Sequence, residues 1–157
     1  PDSSYCMKIT ELNPDIVLAD WMDKRLFVQT SATSPKRVVR VYAQGEQPQT
    51  GLGDEYMTVA YNGVISSKTT PLGVMRGNIA LQINSKAVSG VVARRKRLAQ
   101  LAEQAAGFID RQVIGGYYFA LDLTNPIVQP TVNLTTGYAT MVLNISWHTT
   151  DEIHNKK

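Results

Sequence analysis

The spacing of apolar residues changes several times along this chain, and each change predicts a boundary between elements. Val17, Leu18, Trp21, Met22 and Leu26 follow helical spacing directly after Asn13-Pro14, a capping residue and a proline suited to the first helical position. A short amphipathic helix is expected over residues 14–26, broken by the polar run 30–35. Residues 37–43, rich in Val and Tyr, predict a strand. Residues 44–54 (QGEQPQTGLGD) hold three glycines and a proline without apolar period, which predicts an exposed contact loop. Strand chemistry resumes over residues 56–65, with Met57, Val59 and Tyr61 on one face. Residues 77–84 then alternate, Ile79, Leu81 and Ile83 inward against Asn78, Ala80, Gln82 and Asn84 outward.

From Ser89 the period lengthens. Val91, Leu98, Leu101, Ala105, Phe108, Ile109 and Val113 recur at helical steps, predicting a long helix over residues 91–114, stopped by Gly115-Gly116. Strands follow over residues 117–123 and 138–148, separated by an extended loop or hairpin tip at 124–137. In the last strand Ala139, Met141, Leu143, Ile145 and Trp147 share one face. Thr140, Val142, Asn144, Ser146 and His148 share the other. Helix, three strands, long helix, two strands describe an α+β fold: an antiparallel sheet packed against one long helix, with a short N-terminal helix. One domain spans residues 13–150, with an N-terminal extension (1–12) and a polar tail (151–157).

Composition narrows the class. At 157 residues and 43% hydrophobic, the chain suits one domain with a real core. No run approaches a membrane span, and the opening Pro1-Asp2-Ser3-Ser4 has no signal-peptide pattern. A lone Cys6 excludes an intrachain disulfide and a cysteine zinc site. These features predict a soluble chain made in a reducing cytosol.

Catalytic motifs are missing. His148 and His154 lie near the C-terminal end, and no Gly-x-Ser-x-Gly elbow is present. Gly51-Leu52-Gly53 lacks the lysine and following helix that phosphate binding needs. The adjacent acids Asp54-Glu55 and Asp151-Glu152 alternate faces on a strand, so neither forms a convergent carboxylate site. The sequence predicts no enzyme, no cofactor and no metal site. The two Asn-x-Ser/Thr sequences, at Asn133 and Asn144, are read as chance in the absence of a secretory signal.

Charge is uneven. Residues 1–55 carry six bases and eight acids, and residues 103–157 carry three bases and five acids. Between them lie seven bases (Lys68, Arg76, Lys86, Arg94, Arg95, Lys96, Arg97) and no acid. Four consecutive helical bases, Arg94 to Arg97, spread around the helix at about 100° each and cannot share a face. They also stand where the helix dipole disfavours cations. Phosphates, acids of a neighbouring subunit and solvation each offset that. Lys86, Arg94, Arg95, Lys96 and Arg97 are therefore candidate DNA or subunit contacts. The strand face of Asn78, Gln82, Asn84, Thr140, Asn144 and Ser146 is a second candidate. A solvated sheet face usually carries Lys or Glu, so this neutral one suits another subunit.

Taken together, the short leading helix, the loop 44–54, the long helix 91–114 and the closing strand 139–148 (ATMVLNISWH) resemble the tail terminator and head–tail joining proteins of tailed bacteriophages. The resemblance covers residues 13–150. It implies a structural virion protein made in the host cytoplasm and assembled as a homo-oligomeric ring, hexamer or dodecamer, around a DNA channel. Its implied neighbours are neck, portal-connector or tail-tube proteins, with no membrane. Helices would lie outside the ring and strands would line or approach the channel. The competing expectation is a nucleic-acid-binding module using the basic segment 86–97.

Overall fold

A computed structural model describes residues 12–23, 27–29, 36–48, 51, 54–66, 75–86, 90–122, 131–132 and 137–150. The elements are α1 (Pro14–Met22), β1 (Phe27–Gln29), β2 (Lys36–Val38), β3 (Arg40–Ala43), β4 (Glu55–Ser66), β5 (Met75–Ser85), α2 (Val91–Ile109), β6 (Gln112–Ile114), β7 (Tyr117–Leu121), β8 (Thr131–Val132) and β9 (Ala139–Thr149). The expected extension (all but Leu12), the tail, and most of the 124–137 connection lie outside the described residues.

Seven strands form one sheet in the order β3-β4-β5-β9-β7-β6, with β8 also on β9, and β1 and β2 form a separate pair. The α+β class stands, but the sheet is mixed where an antiparallel one was expected. Strand β3 runs parallel to β4, with Arg40 opposite Tyr56 and Ala43 opposite Val59. Residues 44–54 are therefore a return connection that brings the chain back beside the start of β3, as parallel neighbours require. The strand expected over 37–43 is split at Val39: β2 pairs with β1, and β3 joins the main sheet.

The long helix also ends early. Asp110 is its C-cap, and Arg111 turns the chain with a φ of 60°. Val113, whose spacing fits the helix, belongs instead to β6. Gly115 and Gly116 both have positive φ (58° and 87°) and join β6 to β7 as a two-residue hairpin turn. A side chain at Gly115 would also meet Val17 at 2.9 Å, so the hairpin tip sits hard against α1.

One apolar core lies between the helices and one sheet face. Leu18, Ala19 and Met22 of α1 and Leu98, Leu101, Ala102, Ala105 and Ile109 of α2 are buried with the inward sides of the strands, including Met57, Leu81, Phe119, Ile145 and Trp147. Helix α1 packs on β3, β4 and β6, while α2 packs on β5, β9 and β7. Since β3 and β6 end the strand order, α1 touches both edges of the sheet, which curls around it. Asn13 stands at the N-cap position, yet its side chain does not cap the helix. Its Oδ1 accepts the Tyr117 hydroxyl at 3.1 Å, and that hydroxyl accepts the Asn13 N–H at 3.1 Å.

Candidate functional site

Strand register assembles the neutral face. Residues directly opposite in a ladder point to the same side. In the β5–β9 pairing Asn78 faces Ser146, Ala80 faces Asn144, Gln82 faces Val142 and Asn84 faces Thr140. The six strand residues singled out in the sequence thus share one continuous face, opposite the helix-packed core. Thr140 Oγ1 donates to Asn84 Oδ1 at 2.7 Å, and Ser146 Oγ donates to the Ala120 carbonyl at 3.3 Å. Asn84 is buried, Gln82 is exposed, and the other four are half-buried. Thr58 and Ala60 extend the face onto β4, and Ala120 extends it onto β7. Across these central rows the side chains of β4, β5 and β9 are uncharged, and the acid Asp122, whose N–H donates to the Asn144 carbonyl at 3.0 Å, stands beside them just past the end of β7.

Charge and aromatic groups collect at the two ends. At one end Tyr56 lies edge-on to Tyr138, centroids 5.2 Å apart, and 6.4 Å from Tyr42. Burial, then the neighbouring Tyr138, raises the Tyr56 phenol above its ordinary range. At the other end His148 stacks on Tyr118 at 5.0 Å, in the row that holds Arg76. The sequence offered alternation for these tyrosines but no sign that they would cluster, because β3, β4 and the Tyr138 segment meet only in the fold.

The basic segment divides. Arg97 is 6% exposed and turns inward, where its Nε and Nη2 donate to Glu55 Oε2 and Oε1, both at 2.6 Å. Ser85 Oγ donates to the same carboxylate at 2.8 Å. This forked pair joins the start of β4, the end of β5 and the second turn of α2, so Arg97 is a structural residue and not an available contact for DNA or a neighbour. Lys86 places its ammonium 4.8 Å from the Tyr138 ring centroid. Arg94 is half-buried, and Arg95 and Lys96 are exposed. Four bases cannot share a helix face, and here one faces the core while its neighbours face outward.

Two aspartates close parts of the sheet edges. Each helix ends on one: Asp23 caps α1 and Asp110 caps α2. Asp23 Oδ1 accepts the Val41 N–H at 3.0 Å and is held by Arg40 at 2.9 Å. Asp110 Oδ1 accepts the Leu121 N–H at 3.1 Å. The flanking N–H groups of Gln44 and Asp122 bond to β4 and β9, so those of Val41 and Leu121 point away from the paired strand. A carboxylate on such an edge N–H blocks addition of another strand there.

Among the described residues no group of three His, Cys, Asp or Glu could hold a metal ion, and no helix is long and apolar enough to cross a membrane. No protein-family model matches the chain, and no curated protein matches it. Solved structures do match, three chains in all. One, a protein whose name states no function, is 16% identical with a TM-score of 0.51, over 85% of this chain and 88% of that chain. At that identity the likeness is one of fold alone.

Proposed function

We propose that this chain is a structural protein of a tailed-bacteriophage virion, forming a homo-oligomeric ring at the head–tail neck or the tail end and surrounding the DNA channel. The observation that carries this reading is the sheet's neutral face. Both helices pack on one side of the sheet, and the middle of the other side carries Asn, Gln, Ser, Thr and Ala, from exposed Gln82 to buried Thr58, Ala60 and Asn84, with Arg76 only at one end. Such a face suits contact with further copies, and a channel lined by its central rows, which carry no cation, does not grip passing phosphates. In a ring the helices lie outside and the strands toward the channel. Because Asp23 closes part of the β3 edge, neighbouring copies meet through faces and helix surfaces there, not by adding strands.

Size-exclusion chromatography with light scattering, followed by negative-stain imaging, tests the reading. The expected result is a closed ring of identical subunits. A species that stays monomeric both alone and in the virion overturns it. If instead the monomer binds duplex DNA with a steep salt dependence, the nucleic-acid module takes its place.

A further inference from the structure

Two exposed helix surfaces carry the same arrangement with opposite charge. On α2, Val91 and Val92 are 72% and 64% exposed, and Arg95 and Lys96, four residues on, are exposed as well. That spacing sets Val91 beside Arg95 and Val92 beside Lys96 on the helix surface. On α1, Ile16 is 38% exposed, and Asp20, again four residues on, is exposed. Each surface is an aliphatic group followed one turn later by a charge, basic on α2 and acidic on α1.

Among the described residues no ion pair matches either surface within the subunit. The first turn of α2 holds no acid, and Gly90 brings no side-chain cap, so the cations that follow stand against the helix dipole. Among the described residues Arg95, Lys96 and Asp20 form no ion pair. Exposed valines beside unpaired cations are a poor match to water and a good match to an aliphatic–acidic surface.

We infer that the start of α2 (Val91, Val92, Arg95, Lys96) docks on α1 (Ile16, Asp20) of a second copy of this chain. The inference rests on the ring reading and deepens it. Two different surfaces of one chain meeting head to tail make a heterologous contact, the kind that closes into a ring. The contact also gives the acid-free block of the sequence a partner, since the acids it lacks are supplied by the N-terminal part of the neighbour.

Charge reversal tests it. Asp20→Arg and the double variant Arg95→Glu/Lys96→Glu change only exposed side chains, so circular dichroism and melting should match the unmodified chain. Each variant alone should lose the assembled peak in light scattering. An equimolar mixture should recover it, because the reversed α1 of one variant then faces the reversed α2 of the other, and the two unreversed surfaces face each other. If the unmodified chain forms rings and either variant still does, the contact is overturned while the ring reading stands. The same holds if both variants fail alone and the mixture also fails, or if reversal at Arg95 and Lys96 abolishes DNA binding and leaves rings intact. An unmodified chain that is monomeric at every concentration overturns the contact and the ring together.

Discussion

Tyr117 shows how one side chain links distant parts of the chain. It is 1% exposed, packs edge-on to Trp147 at 5.7 Å, and its hydroxyl both donates to and accepts from Asn13. Burial raises its phenol above the ordinary value of 10.0, the Asn13 hydrogen bond lowers it, and Asp15 raises it further. Tyr61 is raised in the same direction, again first by burial. For such groups the folded chain holds its protons to higher pH than the unfolded chain does. Their contribution to stability is therefore constant below about pH 10 and falls as pH rises from the unfolded value through the folded one. Urea unfolding followed from about pH 8 to 11 should show that decline. Tyr117→Phe should shrink the decline, while lowering neutral-pH stability by about 1–2 kcal/mol through the two lost hydrogen bonds. A variant as alkali-sensitive as the unmodified chain would show that Tyr117 does not titrate with unfolding.

At the scale of elements, α2 is fixed to the sheet by burial and by the Arg97–Glu55 ion pair. Arg97 and Glu55 are 7% and 6% exposed at the side chain and lie 42 residues apart in sequence. Removing one partner of a buried pair strands the other charge, at a cost of about 3–5 kcal/mol. Arg97→Met should therefore destabilise the chain by that order, and Glu55→Gln/Arg97→Met should recover much of the loss. Denaturant unfolding of the single and double variants measures both. Exposed Lys96→Met, one residue earlier, should move stability by less than about 0.5 kcal/mol. Nothing local in the sequence marked this pair, and the run of four bases concealed it. Strands β5 and β9 and the body of α2 were legible because their apolar period is regular and their neighbours are in phase. The ends were not. Gln112 and Val113 fit the helical phase as well as a strand, and only the hairpin at Gly115-Gly116 decides between them. The parallel β3–β4 pairing was hidden for a related reason, since alternation along a strand carries no information about the direction of its partner.

The whole molecule has two unlike sides, and equal chemical changes on them should have unequal effects. Gln82 is exposed on the neutral sheet face, and Gln104 is exposed on the outer surface of α2. The six residues of the neutral face were legible as a set from their alternation, but only the β5–β9 register shows that they form one surface. In a ring of identical subunits a charge placed on one copy is repeated on all of them. At a contact face those charges lose water and repel one another, while on an outer helix surface they stay solvated and screened. Gln82→Glu should therefore abolish the ring, and Gln104→Glu should leave it unchanged. Both are surface substitutions and should alter the stability of the subunit by less than about 0.5 kcal/mol. Light scattering of the two variants at matched concentration and ionic strength reads the difference, with melting curves confirming that both fold. Raising the salt should partly restore the Gln82→Glu assembly, because screening weakens the repulsion but not the desolvation. Rings that tolerate a carboxylate at residue 82 as well as at residue 104 would remove the sheet face from the contact and leave assembly to the helix surfaces alone.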